Sequence, residues 1–361
     1  MGENRILWEG TAFALTGYGL AIALGALLSV CLLFVCMHRR GADREASIHL
    51  ALVSAVGALV GAHLVYCAAM APSLVSDYGG LSLIVAFYRG GYTLYGAVFG
   101  VLFSVWLSCR VRGEDFLRSL DALVPSAALM LCVGRAAEVW TDQGLGPMVE
   151  SALWQRFPFA VCTYQDVDWS EWYLAVFIFE ALTAALFLVR SFAWQKKARK
   201  SGETAIRFLT YLSCTQIFFE QMRQDDCIRF GFVRFSQLAA LCVLLILLFM
   251  RLRSVERKKA VLAFVRFALC ALIVVWIEFA FEKPQFYPHL IVTSLAAFVL
   301  FLPVWDRTWN AWRILRTVLL ACGLVLLFFT VREEYAFEIQ VLYGAMAVAL
   351  AGLGATVLEN N

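Results

Sequence analysis

Runs of about twenty apolar residues recur along almost the whole chain, and each is long enough to cross the hydrocarbon core of a bilayer as a helix. Backbone that crosses lipid must satisfy its own hydrogen bonds, which leaves helices and closed barrels. A barrel would show shorter segments of alternating polarity, so the runs predict helices. They fall at roughly 12–37, 50–71, 93–109, 121–137, 172–192, 205–222, 235–250, 260–281, 289–305, 314–331 and 340–358. The expected fold is therefore all-α, a polytopic integral membrane protein with about eleven transmembrane helices. With 62% hydrophobic residues among 361, a soluble domain is excluded. A net charge of +3 is too small to indicate a nucleic-acid partner.

The loops carry an orientation signal. With the N-terminus outside, the inner loops and their edges hold 19 lysines and arginines, in the clusters around Arg39, Arg110, Lys196, Arg251 and Arg307. The outer segments hold 8. Basic residues accumulate on the cytoplasmic side, so the N-terminus is expected outside and the C-terminus inside. Trp305, Trp309 and Trp312 then anchor the inner face.

The chain shows no internal repeat. The basic stretch "RLRSVERKK" at 251–259 follows about seven spans and precedes about four, which suggests one boundary. Segment 138–171 is the longest outer loop; Phe157, Phe159, Tyr164, Trp169 and Trp172 suggest that it packs on the membrane surface. The first ten residues contain one arginine and two glutamates, a poor start for a signal peptide. "LSVC" ending at Cys31 reads better as small-residue helix interior than as a lipoprotein cleavage box. The 11 cysteines have no metal spacing, and no metal or cofactor is expected. Cys162 and Cys227 are the two in outer segments, where a disulfide could form.

Ionisable side chains inside membrane spans are costly and point to function. On the expected topology, Arg135 and Glu138 reach the outer boundary at the end of span four, and Gln216, Glu220 and Arg223 reach it at the end of span six. His63 lies in the outer half of span two; Tyr18 and Tyr95 begin spans one and three from outside. Polar groups from five spans thus share one depth. Arg135 with Glu138, and Glu220 with Arg223, have the spacing of local ion pairs, so each could equally be structural. Arg266 and Glu278 share span eight but are about 18 Å apart along it, so each needs a partner on another helix. Glu180, about 12 Å into span five by the same rise, needs one too.

An ordered series of motifs resembles the bacterial prolipoprotein diacylglyceryl transferase family. The series is "GAHLVY" (61–66), "RGGYTLYGAVFGV" (89–101), "DALVP" (121–125), "GRAAEVWTDQGLG" (134–146), "FPFAV" (157–161), "FEAL" (179–182) and "FFEQMRQDD" (218–226). Tyr18–Gly19 and Gln237 fit the same layout. The resemblance covers residues 1–253 as a seven-span domain and leaves 254–361 as a four-span C-terminal membrane extension.

The resemblance implies transfer of a diacylglyceryl group from phosphatidylglycerol to the lipobox cysteine thiol of prolipoproteins, at the outer leaflet of the bacterial plasma (inner) membrane. The implied partners are phosphatidylglycerol, prolipoprotein signal peptides and the membrane. Such chemistry needs cationic donors for phosphate and an acceptor for the thiol proton. The implied catalytic residues are Arg135, Glu138, Tyr18 and Tyr95. The implied substrate-binding residues are His63, Gly134, Gly146, Gln216, Glu220, Arg223 and Glu180.

The family signature reads Gly-Arg-x-Gly-Asn-Phe-x-Asn-x-Glu with a glycine three residues on. Gly134, Arg135 and Gly146 match it, while Ala137, Glu138, Val139, Thr141 and Gln143 depart from it. Tyr95 stands where a histidine is usual, and Gln216 and His63 stand where arginines are usual. Glu138 is the substitute acceptor that this pattern suggests, turned towards the site rather than neutralising Arg135. The alternative is a catalytically inactive lipid- or lipoprotein-binding membrane protein of the same fold. A transporter would place its polar groups on interrupted helices near the midplane, a pattern not visible here.

Overall fold

The computed structural model describes residues 6–9, 14–71, 84–87, 90–141, 143–165, 170–225, 228–230, 233–253, 256–282 and 336–358. Helices dominate them. Seven are long and apolar enough to cross a membrane: α1 (Gly17–Arg39), α2 (Arg44–Ala69), α3 (Leu94–Arg112), α4 (Phe116–Ala137, continued by a 3-10 turn to Trp140), α5 (Val176–Lys197), α7 (Phe235–Leu252) and α8 (Arg257–Glu282). Between them, α6 (Glu203–Met222) has the length but is more polar. Another apolar helix, α9 (Ala336–Leu358), ends the described chain. The runs expected at 289–305 and 314–331, the tryptophans at 305–312 and Cys227 lie outside the described residues.

The chain divides into two compact units, with boundaries inside α5 and α6. The first comprises Glu3–Thr141 and Phe179–Phe208; the second comprises Met1–Gly2, Asp142–Ile178 and Leu209–Asn361.

In the first unit, α1 packs on α4 and α2 on α3. Thr16 and Thr93 start α1 and α3 by accepting from the amides of Gly19 and Gly96 at 3.1 and 3.2 Å. Gly57 and Gly61 on α2 face Gly96 and Gly100 on α3. A Cβ at Gly61 would lie 2.5 Å from the Gly96 carbonyl, and one at Gly100 would lie 2.0 Å from that of Gly57. The two Gly-x-x-x-Gly runs therefore allow backbone contact that any larger residue would prevent.

The same unit buries polar groups and exposes apolar ones. Asp121 on α4 accepts from the backbone of Gly202 at 2.7 Å and Ala205 at 2.8 Å, which satisfies amides at the start of α6. Meanwhile Leu27, Leu52 and Phe103 are exposed, as expected of side chains that face lipid tails.

In the second unit the stretch read as a surface loop contributes strands to a sheet. β3 (Leu145–Met148), β4 (Ala160–Gln165) and β5 (Ser170–Ala175) pair antiparallel in the order β3-β5-β4. Ala160, Leu174 and Ala175 are buried on it. The strands are short and mix aromatic, small and polar residues, so no clean period of two announces them. β6 (Arg229–Phe230) and β7 (Val233–Arg234) form a second, two-stranded ribbon; β1 (Ile6–Glu9) and β2 (Ala14–Thr16) form a third, in the N-terminal segment. The fold is mostly helical rather than purely so. In this unit α9 packs on α8 and α7.

Candidate functional site

In the first unit, Gly134 and Arg135 occupy the last turn of α4, and Glu138 begins the 3-10 turn that follows. The i,i+3 spacing returns Glu138 to the guanidinium: its Oε1 lies 2.6 Å from Arg135 Nη1. The expectation that Glu138 turns away from Arg135 is corrected by this pair. A second carboxylate comes from α5, where Glu180 Oε1 lies 3.3 Å from Arg135 Nη2. One rigid fork thus holds two acids from different helices, through different nitrogens. The three side chains are 14%, 8% and 4% exposed.

Two carboxylates and one guanidinium therefore meet at a site largely shielded from solvent. Beside it, a Cβ at Gly134 would meet Ile22 at an ordinary 3.9 Å, so contacts among the described residues do not demand glycine there.

Tyr18 lies in the first turn of α1 and is half-buried; Tyr95 is buried near the start of α3. His63 is fully buried in α2, with Nδ1 3.1 Å from the Gly91 carbonyl and Nε2 3.6 Å from Cys67 Sγ. A proton on Nδ1 lets the ring donate to the carbonyl and accept from the thiol. Phe87 packs against it at a centroid distance of 4.5 Å. These contacts are those of a hydrogen-bonded core histidine.

The second unit holds the other candidates. Gln216 Nε2 donates to Glu220 at 2.9 Å, and Glu220 faces Arg234 Nη1 at 3.6 Å. Arg223 binds Asp225, with Nε 2.8 Å and Nη2 2.5 Å from its Oδ2. Glu220 and Arg223 therefore each engage a residue outside the local pair that their spacing suggests. Asp225 also accepts from the Gly144 amide at 2.9 Å. Gly146 has a packing reason: a Cβ there would lie 2.6 Å from Val176 and 3.3 Å from the Met222 carbonyl.

Sequence reasoning missed Asp225, Arg234 and the Glu278–Gln237 contact as members of this network. The motif "FFEQMRQDD" contained Asp225, and the buried carboxylate of span eight announced that Glu278 needed a partner.

Residues 5–253 match the family described as prolipoprotein diacylglyceryl transferase. A phosphatidylglycerol–prolipoprotein diacylglyceryl transferase of Clostridium tetani is 26% identical over 244 residues, 68% of this chain and 95% of the relative. The enzyme of that name from Clostridium botulinum (strain Langeland) is 24% identical over 258 residues, 71% of this chain and 99% of the relative. That of Bacillus licheniformis is 23% identical over 266 residues, 71% of this chain and 96% of the relative.

Proposed function

We infer the chemistry of this site from kinship: the chain belongs to the prolipoprotein diacylglyceryl transferase family, and it transfers a diacylglyceryl group from phosphatidylglycerol to a prolipoprotein. The observation that carries the residue assignment is the Arg135 fork held between Glu138 and Glu180.

In the reaction, the acceptor cysteine sulfur attacks the glyceryl carbon of phosphatidylglycerol. The S–C bond forms as the C–O bond to phosphate breaks, and glycerol phosphate leaves with the electron pair of that bond. Glu138 takes the thiol proton, which leaves finally with the phosphate. Protonating Glu138 removes one of the two negative charges that hold Arg135. The guanidinium then becomes available to the phosphate as the leaving oxygen gains charge, and its planar fork suits two phosphate oxygens. Glu180 keeps the fork in place throughout. Tyr18 and Tyr95 complete the catalytic assignment as hydrogen-bonding hydroxyls; Gly134 and, despite its core contacts, His63 are assigned to substrate binding on the family motif alone.

Gly146, Gln216, Glu220 and Arg223, in their own unit, are assigned to substrate binding on the strength of the family motif. The protein sits in the bacterial inner membrane with its N-terminus outside and about eleven spans, and its site faces the outer leaflet. That placement rests on the basic residues of the loops. Residues 254–361 are an extension added to the family domain, which the match bounds at 253.

Complementation of a transferase-depleted bacterium tests the reading, with mass analysis of a reporter lipoprotein. The wild-type chain should add a diacylglyceryl group to the reporter cysteine, and Glu138→Gln should slow that addition by about a hundredfold or more. An unmodified reporter in cells that insert the wild-type chain would remove the assignment.

A further inference from the structure

The strongest unassigned feature is a buried carboxylate outside the family-matched region. Glu278 lies on α8, beyond residue 253, and is 3% exposed. Its Oε1 accepts from Gln237 Nε2 on α7 at 2.7 Å. With its amide nitrogen turned to the carboxylate, Gln221 of α6 donates to both oxygens, one at 3.3 Å. A helix of the extension thus places an acid against two amides of the family domain.

Gln237 converts that contact into orientation. Glu278 Oε1 accepts from the amide nitrogen, which leaves the amide oxygen on the other side. That oxygen accepts from the Arg234 backbone amide at 3.0 Å, which pins the first turn of α7. The Arg234 guanidinium faces Glu220 with Nη1 at 3.6 Å, and its Nη2 donates to the Arg223 carbonyl. Glu220 and Arg223 are the substrate groups of the reading above.

We propose that Glu278 is a positioning residue for the transfer reaction: through Gln237 it fixes Arg234, and through Arg234 it sets Glu220 and the Arg223 backbone. The extension is then part of the working enzyme, and an acid beyond the family match tunes family residues. This rests on the assignment of Glu220 and Arg223 to substrate binding.

The test compares the wild-type chain, Glu278→Gln, Glu278→Asp and the swap Gln237→Glu with Glu278→Gln, full length in nanodiscs. Hydrogen exchange at the Arg234 amide is one readout; kcat and KM for phosphatidylglycerol with a lipobox peptide are the other. A glutamine at 278 puts an amide donor where the carboxyl has an oxygen, so the Gln237 nitrogen is no longer assured an acceptor. Glu278→Gln should speed Arg234 exchange and raise KM, each on the order of tenfold, with kcat little changed. Glu278→Asp should fall between it and wild type. In the swap, a carboxylate at 237 still accepts from the Arg234 amide and now accepts from the amide at 278, so both readouts should return towards wild type. A merely structural acid would lower the yield of folded protein and leave KM per folded molecule unchanged. Unaltered exchange in Glu278→Gln, or altered exchange with unaltered KM, overturns the proposal. Unchanged transfer in Glu220→Gln and Arg223→Gln would instead remove those two residues as substrate groups, while the exchange rate still decides whether Glu278 orients Arg234.

Discussion

Glu180 and Arg135 arrive on separate helices and meet at 3.3 Å, on the side of the guanidinium not taken by Glu138. That second acid alters what the Arg135–Glu138 pair can do. A lone i,i+3 pair lies on one segment, whereas here the guanidinium also joins α4 to α5.

The triad separates a structural pair from a working one. If neutralisation were its whole purpose, Arg135→Gln with Glu138→Gln would be tolerated. The expected result is that Arg135→Gln lowers diacylglyceryl transfer by about a hundredfold or more, and that adding Glu138→Gln does not restore it. Arg135→Lys should recover only part, because an ammonium lacks the planar fork. Reporter modification and phospholipid co-purification on the same membranes measure both effects.

Asp121 should matter for folding and not for chemistry. Its carboxylate satisfies two backbone amides at the start of α6, and its own carbonyl accepts from Gln195 at 2.8 Å. Asp121→Ala should destabilise the protein by about 1–3 kcal/mol through the orphaned donors. Thermal unfolding in detergent gives the loss, and transfer per folded molecule should stay near wild type.

The contact between α2 and α3 should tolerate no side chain. Gly100→Leu should abolish detergent-stable protein, since even its Cβ would collide with the Gly57 carbonyl at 2.0 Å. Gly134→Ala, whose Cβ meets only ordinary contact, should leave yield unchanged. Size-exclusion profiles of the two variants decide the matter.

Orientation can be read by labelling. Cysteines introduced at Asp166 and Gln285 should react with an impermeant reagent in intact cells, and those at Lys197 and Lys258 should not. Labelling at 197 from outside would reverse the topology.

Truncation after Lys259 should still give inserted protein, because lipid tails can take the place of the apolar helices α8 and α9 at little cost. Without Glu278, its KM should resemble that of Glu278→Gln. Kinetics of the truncated chain beside the full-length variant test this.

Much of the architecture was legible because lipid constrains sequence so strongly. A span must be a long apolar run, so α1 to α5, α7 and α8 coincide with runs read directly from hydropathy. The family motifs singled out Gly134, Arg135 and Glu180 before any geometry was known. The sheet was not legible, because its strands lie outside the lipid constraint and carry no clean alternation. The glycine contact was written as two Gly-x-x-x-Gly runs, but which helices they join is a matter of packing.

What the sequence determined by itself was the position of seven helices long and apolar enough to cross a membrane, and the presence of buried charges that needed partners. Only the tertiary structure decided the partners: Glu180 for Arg135, Asp225 for Arg223, Arg234 for Glu220, and Gln237 for Glu278. Apolar length is a property of one segment and is written locally. A salt bridge is a property of two segments, and its geometry exists only once helix packing has brought their faces together.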